Sequence, residues 1–339
     1  MNSIEVVGIT LSKNTDLDSV GRLCFDGKTV YANNETIGIV APYRTKLKGS
    51  VSGNPLIALI RNVGDIDLIE KGELVIAKKR KGATKLTMRL GELTPFPYRM
   101  EDDSVIELKE GYGALIRNVM VSMGTDGGKP DILGCSMVLS RGKILFVSSN
   151  NVSATRVTIK CHAMEEKCYT MPPIFWEAFD KILGGGYQLE AVGYADNMVA
   201  FYFSGSVVLI GRTLEGTNPN KILDTIDDMY SMDDGFQVPT NLLESLKRTS
   251  IVSTEQNQQT QIRVKDRYIH LDTVGALGEV RDRVKVDSDI STELATLPYY
   301  LCKVLPIATK LSLAESAISV KGKNLMGVMV AYPIERERP

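Results

Sequence analysis

DILGCSMVLSRGKILFVSSNNVSATRV, residues 131–157, carries two apolar and β-branched runs on either side of Arg141-Gly142. Two such runs around a glycine-bearing turn predict a β-hairpin. The same reading applies to RLCFDGKTVYA (22–32), ELVIAKKRKGATKLTMRL (73–90), MVAFYFSGSVVLIGR (198–212), TQIRVKDRYIHLDTV (260–274) and AISVKGKNLMGVMVAY (317–332). Within these hairpins apolar residues alternate, as in Ile262 and Val264, then Ile269 and Leu271, which suits antiparallel sheets buried on one face.

Between the hairpins run short helical patterns. Leu56, Leu59, Ile60 and Val63 form one stripe; Tyr112, Leu115, Ile116 and Val119 a second; Phe175, Ala178, Phe179 and Ile182 a third. Leu242, Leu243 and Leu246 begin a fourth, and Leu297, Leu301, Val304 and Leu305 run into Pro306. Pro55, Pro172, Pro239 and Pro298 stand near helix starts, where a missing N–H costs little. The starts fall at about residues 55, 111, 173, 240 and 298, a period of roughly 60 residues. LIRNV even occurs twice, at 59–63 and 115–119. A unit of that size cannot bury its own sheet face, so six units pairing back to back predict three domains. A sixth start is expected near the N-terminus, where only Thr15-Asp16-Leu17-Asp18 reads as a helical stub. Polar or proline-bearing joins at 93–104 and 224–235 set the expected domains at 1–104, 105–235 and 236–339.

The 339 residues include 40 Lys and Arg against 41 Asp and Glu, a net charge of −1, so no global basic field exists to hold nucleic acid or a membrane surface. Five scattered cysteines, Cys24, Cys135, Cys161, Cys168 and Cys302, an N-terminus without a signal-like core and no run of about 20 apolar residues lead to an expected cytoplasmic protein with no membrane partner.

The order of these segments resembles the DNA polymerase sliding clamps of the bacterial β type. In the middle of the chain the likeness rests on residues 131–157, MPPIFWEAFDKIL (171–183) and a segment with Arg212, Glu215-Gly216 and Pro219. It continues through VPTNLLESLKRTSIVS (238–253), residues 260–286, LPYYLCKVLP (297–306) and GVMVAYPI (327–334), and covers roughly 104–335. The resemblance implies an α+β DNA-clamp fold, with three similar domains whose antiparallel sheets lie outside and whose helices line a central channel. It implies a head-to-tail homodimeric ring around duplex DNA, a processivity factor without enzymatic activity or cofactor, and DNA polymerase and a clamp loader as partners. Dimer contacts are expected from 85–90 meeting 289–297. The shortened N-terminal helix and a divergent loop suggest a distant relative in a bacterial cell or an infected host, with a virus-encoded origin one reading. The alternative is a clamp-like recruitment module that never closes into a ring.

Two sets of residues follow. A sliding protein needs weak, sequence-independent phosphate contacts. Opposite the apolar stripes stand Arg61, Arg117, Lys181, Lys247, Arg248 and Lys303, each readable as a channel cation or as an ordinary charge on a wet helix face. The resemblance implies a pocket for a client's linear motif, formed by Ser149, Asn150, Asn151, Val152 and Ala154, by Ile262, and by Val330, Tyr332, Pro333 and Ile334. The loop departs from the family's Thr-Asp-Gly, basic residue, Leu, with Ala154 in the leucine's place. Ala154, Ile262 and Val330 read equally as sheet core. Tyr332-Pro333-Ile334, beside the charged run 335–338, reads as an exposed rim.

Other motifs are set aside. Residues 124–130 place Pro after the Lys where a phosphate loop has Ser or Thr. Gly184-Gly185-Gly186 reads as a helix C-cap. Cys161, His162 and Cys168 lack a fourth zinc ligand at finger spacing, and His270 sits in a strand pattern. Asp224, Asp227, Asp228, Asp233 and Asp234 lack calcium-loop spacing and read as a solvated linker. Lys78-Lys79-Arg80-Lys81 reads as a solvated turn, or as an auxiliary DNA or loader contact.

Overall fold

The computed structural model describes residues 1–11, 21–98, 105–125, 132–162, 166–252 and 259–334. The expected stub at Thr15–Asp18, most of the 124–130 run, the end of the first join and the charged run 335–338 lie outside the described residues. The chain forms two compact units, Met1–Ala114 with Met171–Leu214, and Leu115–Thr170 with Glu215–Pro339. No helix among the described residues is long and apolar enough to cross a membrane.

The first unit opens with α1 (Ser3–Val7) and a 3₁₀ turn, Gly8–Thr10. The sequence reading missed this helix. Its signal is a capping box: Asn2 Oδ1 accepts from the Glu5 N–H at 2.9 Å and Glu5 Oε2 accepts from the Asn2 N–H at 3.0 Å. Ile4, Val6 and Val7 are buried. Strands β1 (Arg22–Phe25), β2 (Thr29–Asn33), β3 (Ile37–Pro42) and β4 (Gly49–Ser52) precede α2 (Gly53–Val63). That helix buries Leu56, Ile57 and Ile60 and stops at Gly64, whose φ of +78° suits glycine.

Next come β5 (Ile66–Lys71), β6 (Leu74–Lys79), β7 (Lys85–Arg89) and β8 (Val105–Glu107). Helix α3 (Tyr112–Arg117) leads through a 3₁₀ turn, Asn118–Ser122, to β9 (Cys135–Ser140), β10 (Lys143–Ser149), β11 (Ser153–Lys160) and β12 (Lys167–Met171). Helix α4 (Pro173–Gly184) starts on its proline and buries Phe175, Trp176, Ala178, Phe179 and Ile182. It is followed by β13 (Leu189–Ala195), β14 (Met198–Phe203) and β15 (Val207–Arg212). Phe201 on β14 packs edge-on against Phe175, Trp176 and Phe179 at centroid distances of 5.0, 5.9 and 5.2 Å, the aromatic core of the first unit.

The chain continues with α5 (Asn220–Met229), β16 (Phe236–Gln237), α6 (Leu242–Thr249), β17 (Thr260–Lys265), β18 (Tyr268–Gly275), β19 (Gly278–Lys285), β20 (Thr292–Thr296), α7 (Pro298–Val304), β21 (Lys310–Leu313), β22 (Ala317–Gly322) and β23 (Leu325–Val330). All six expected hairpins form, and the five expected helix starts fall within two residues of the helices observed. Helix α5 corrects the reading of 224–235 as a solvated linker. Ile222 and Ile226 are buried one turn apart while its aspartates face water.

Among the described residues four antiparallel sheets form, and their orders repeat. One unit holds β4-β1-β2-β3-β15-β14-β13-β8 and the other β12-β9-β10-β11-β23-β22-β21-β16. Each eight-stranded sheet is two sets of four joined through the third strand after a helix in each set. In the first, Val208 to Gly211 pair with Val40 to Ile37; in the second, Ser153 to Val157 pair with Met329 to Leu325. The remaining sheets, β19-β18-β17-β20 and β5-β6-β7, follow the same half-patterns but stop at β19 and β7.

Trp176 is the only tryptophan and has no exposed surface, so its emission reports the first unit. We expect Phe179→Ala to lower that unit's stability by about 3–5 kcal/mol, read from urea unfolding followed by tryptophan fluorescence. A loss below about 1 kcal/mol would mean the aromatic cluster does not hold this core.

Candidate functional site

In the second unit, β10 and β11 are joined by Asn150, Asn151 and Val152. Asn150 Oδ1 accepts from the N–H groups of Val152 (3.1 Å) and Ser153 (2.8 Å) and from Ser153 Oγ (3.1 Å), closing the turn on a single side chain. Asn151 takes φ +67°, which asparagine tolerates best after glycine. The Val152 carbonyl accepts from the Val330 N–H at 2.9 Å, so the loop is tied to the end of β23. Two residues on, Tyr332 and Ala295 of β20 exchange both backbone hydrogen bonds at 2.8 Å, which carries the chain end onto the four-stranded sheet.

The expected pocket residues therefore divide. Ser149, Asn150, Asn151, Val152 and Val330 meet around the loop. Tyr332, Pro333 and Ile334 line a separate depression with Gln261, Asp272 and Arg281 of the four-stranded sheet. Ile262 is 1% exposed and lies on the buried face of that sheet, so it takes the core reading. Ala154 is 4% exposed and is also core, in a cluster with Val147, Val328, Ile222 and Ile226.

Around that cluster lie half-buried Val138, Leu223, Met229 and Tyr230. Three of them belong to α5 or its C-cap, the segment read from sequence as linker. Their signal was present in the spacing of Ile222, Leu223, Ile226 and Met229. Arg156 reaches the same helix, donating to Asp227 Oδ1 at 2.9 Å. The result is a shallow apolar patch bordered by the Asn150–Val152 turn and an ion pair.

The six expected cations share one feature: Arg61 (α2), Arg117 (α3), Lys181 (α4), Lys247 and Arg248 (α6) and Lys303 (α7) all stand in the last turn of a helix. There a positive charge complements the macrodipole. Arg61, Arg117 and Lys181 are exposed. Lys247 pairs with Glu244 at 3.0 Å, and Lys303 lies 4.2 Å from the Tyr299 ring centroid. Arg248 donates to Asp282 (2.6 Å) and to Ser245 Oγ (2.8 Å). Burial pushes the Asp282 carboxyl up, but hydrogen bonds from Arg248, the Arg283 N–H and Ser245 outweigh it and hold the group below its ordinary value. In the basic turn between β6 and β7, Arg80 pairs with Asp67 at 3.3 Å, both exposed.

His162 is exposed, Cys161 half-buried and Cys168 exposed, and no group of three or more metal-capable side chains occurs among the described residues.

This architecture is that of the DNA sliding clamps. A putative DNA polymerase III beta subunit from Eubacterium rectale superimposes with a TM-score of 0.82 at 15% identity, over 98% of this chain and 96% of that one. The beta subunit from Thermotoga maritima gives 0.81 at 15% identity over the same shares, and a DnaN sliding clamp from Pseudomonas aeruginosa bound to griselimycin gives 0.82 at 13% over the same shares. No family model and no curated protein matches the sequence. These three sources are bacterial, and nothing in them favours a virus-encoded origin.

The depressed Asp282 carboxyl contributes stability above its ordinary value of 3.8, and this is lost as pH falls through the lower folded value. We expect Arg248→Ala to raise the Asp282 pKa in carboxyl-resolved NMR titrations. The stability gap to the parent should be constant near neutral pH and close on acidification. A gap that persists in acid would mean Arg248 acts through packing alone.

Proposed function

We propose that this chain is a sliding clamp: a non-enzymatic ring of two copies that encircles duplex DNA and tethers a polymerase and other clients to it. The observation that carries the reading is the repeated junction. Third strands join β3 to β15 and β11 to β23, leaving β19 and β7 as the third such pair. An open strand edge is a template for pairing, and two copies joined head to tail, β7 to β19 and β19 to β7, satisfy both edges in a closed assembly. This keeps the expected contact at 85–90 but moves its partner from 289–297 to β19, because β20 is already paired to β17 and touches Tyr332.

Within this reading the three domains are 1–104, 105–235 and 236–339, each made of two helix-and-strand units. The last-turn cations Arg61, Arg117, Lys181, Lys247, Arg248 and Lys303 supply non-specific phosphate contacts at one end of each helix. A chain of net charge −1 holds DNA by topology, and these contacts need only be weak enough to slide. Clients dock a linear motif on the patch around Ala154, with the turn Ser149–Val152 and Val330 at its border and Tyr332, Pro333 and Ile334 as a second rim. The clamp is loaded by an ATP-driven partner and works in the cytoplasm of a bacterial cell.

The test is retention on DNA. After loading, the protein should remain on circular or end-blocked linear duplex and leave unblocked linear duplex. Equal loss from both would remove encirclement as the mechanism. Thr87→Pro removes a backbone donor from β7 and should shift sedimentation from dimer to monomer with unchanged circular dichroism. A dimer that survives it would place the interface elsewhere, and a parent that sediments as a monomer would leave only a recruitment module.

A further inference from the structure

The four-stranded sheet β19-β18-β17-β20 has one face in the core, with Ile262, Val264, Ile269, Leu271, Val284 and Leu294 buried. Its other face is polar. Register sets two rows across it: Arg263, His270 and Arg283 lie side by side, and so do Lys265, Tyr268 and Lys285. Each row thus places a ring on β18 between cations on β17 and β19. The Tyr268 and His270 rings are neighbours, with centroids 6.3 Å apart. The Arg283 guanidinium lies 5.2 Å from the Tyr268 centroid. A depression of about 640 Å³ on this face is lined by Arg263, Lys265, His270, Asp272 and Arg283 among others, with Tyr268 and Lys285 beside it.

The ion pairs on the face are concentrated toward one end, with Arg267 pairing separately with Asp287 and Asp289 beyond Tyr268. Toward one end, Arg263 pairs with Glu293 (2.6 Å) and Asp272 (3.5 Å), and Arg281 with Glu279 (2.6 Å) and Asp272 (3.5 Å). Toward the Tyr268 end, Lys265, Arg283 and Lys285 have no carboxylate at ion-pair distance among the described residues. Cations left unneutralised around paired rings attract a polyanion that also carries flat apolar groups.

We propose that this face binds single-stranded nucleic acid, with unpaired bases stacking on Tyr268, His270 and the Arg283 guanidinium and the backbone running past Lys265 and Lys285. Duplex DNA keeps its base faces covered and offers these rings nothing to stack on. An acidic peptide would use the cations and leave the rings idle. Alternation of rings and cations is the composition of a single-strand platform. The inference concerns the second unit alone and does not depend on encirclement.

The experiment is fluorescence anisotropy with a labelled oligothymidylate of about 15 nucleotides, using the full chain and, in parallel, a duplex of equal length. Tyr268→Ala should weaken the oligothymidylate at least about fivefold and leave duplex affinity unchanged, while Tyr268→Phe retains binding. The double change Lys265→Glu with Lys285→Glu, at exposed positions, should reduce the dependence of log affinity on log salt by about 1.4. It carries the test should Tyr268→Ala fail to fold. Oligothymidylate binding untouched by these changes overturns the proposal. So does an equal loss for duplex, which would make the site a generic phosphate contact, or binding of polyglutamate in place of the oligonucleotide, which would make it a peptide site. Loss of single-strand binding in a protein still retained on end-blocked duplex separates this inference from the clamp reading.

Discussion

A β-strand at the end of a sheet exposes a row of unpaired N–H and C=O groups, and the rest of this architecture depends on how those rows are satisfied. The solution is the same at both completed junctions: the third strand of one repeat pairs antiparallel with the third strand of another, β3 with β15 and β11 with β23. Repeats of about 60 residues too small to bury a sheet face alone thereby become eight-stranded sheets. Covering elements follow the same logic. At the first junction Phe96 and Tyr98 lie over Gly38, where an added Cβ would come within 2.8 Å of both rings. At the second, α5 seals Ala154 and Val328.

Much of this was legible in the sequence because the signals are local. Turns such as Arg141-Gly142 and Lys323-Asn324 mark hairpins, and prolines at 173 and 298 open helices whose apolar stripes have the right period. What failed had weak or conflicting local signals. In α5 six of ten residues are polar Asn, Lys, Asp or Thr, so composition argued for a linker while Ile222 and Ile226 argued for a helix. In α1 the five-residue helix depends on the Asn2–Glu5 box, too short for periodicity to register. Junction partners were beyond reach, since Val40 and Val208 are far apart in the chain and nothing in either strand names the other. The same limit split the expected pocket: alternation says that Ile262 and Arg263 face opposite ways but not which way is in.

Charge placement carries the second lesson. Each expected channel cation sits where a helix C-terminus already favours it, so the macrodipole alone accounts for the position of any one of them. Function would then need no extra residues, only that helices with this stabilising feature be set with the same end toward one surface. On the proposed clamp reading, the arrangement would also limit how tightly DNA is held. Lys247 and Arg248 are engaged with Glu244 and Asp282, and a phosphate must compete with those carboxylates. Competition lowers the gain per contact, as the proposed sliding requires.

The exposed face of the four-stranded sheet obeys a different rule. Its cations stand on strands with no helix dipole to stabilise them, and part of the lattice is self-neutralised through Asp272, flanked by Arg263 and Arg281 at 3.5 Å each. Had solubility been the only requirement, the same pairing could have continued along the rows. Instead the next acids, Asp287 and Asp289, pair with Arg267 beyond the sheet, and the positions flanking Tyr268 are Lys265 and Lys285, like charges on either side of one ring. Lys265 on β17 and Lys285 on β19 are separated by β18, about 10 Å apart, so both charges stay available to an anion. An anion lying between them meets both, and the ring makes a base the part of that anion the site can hold.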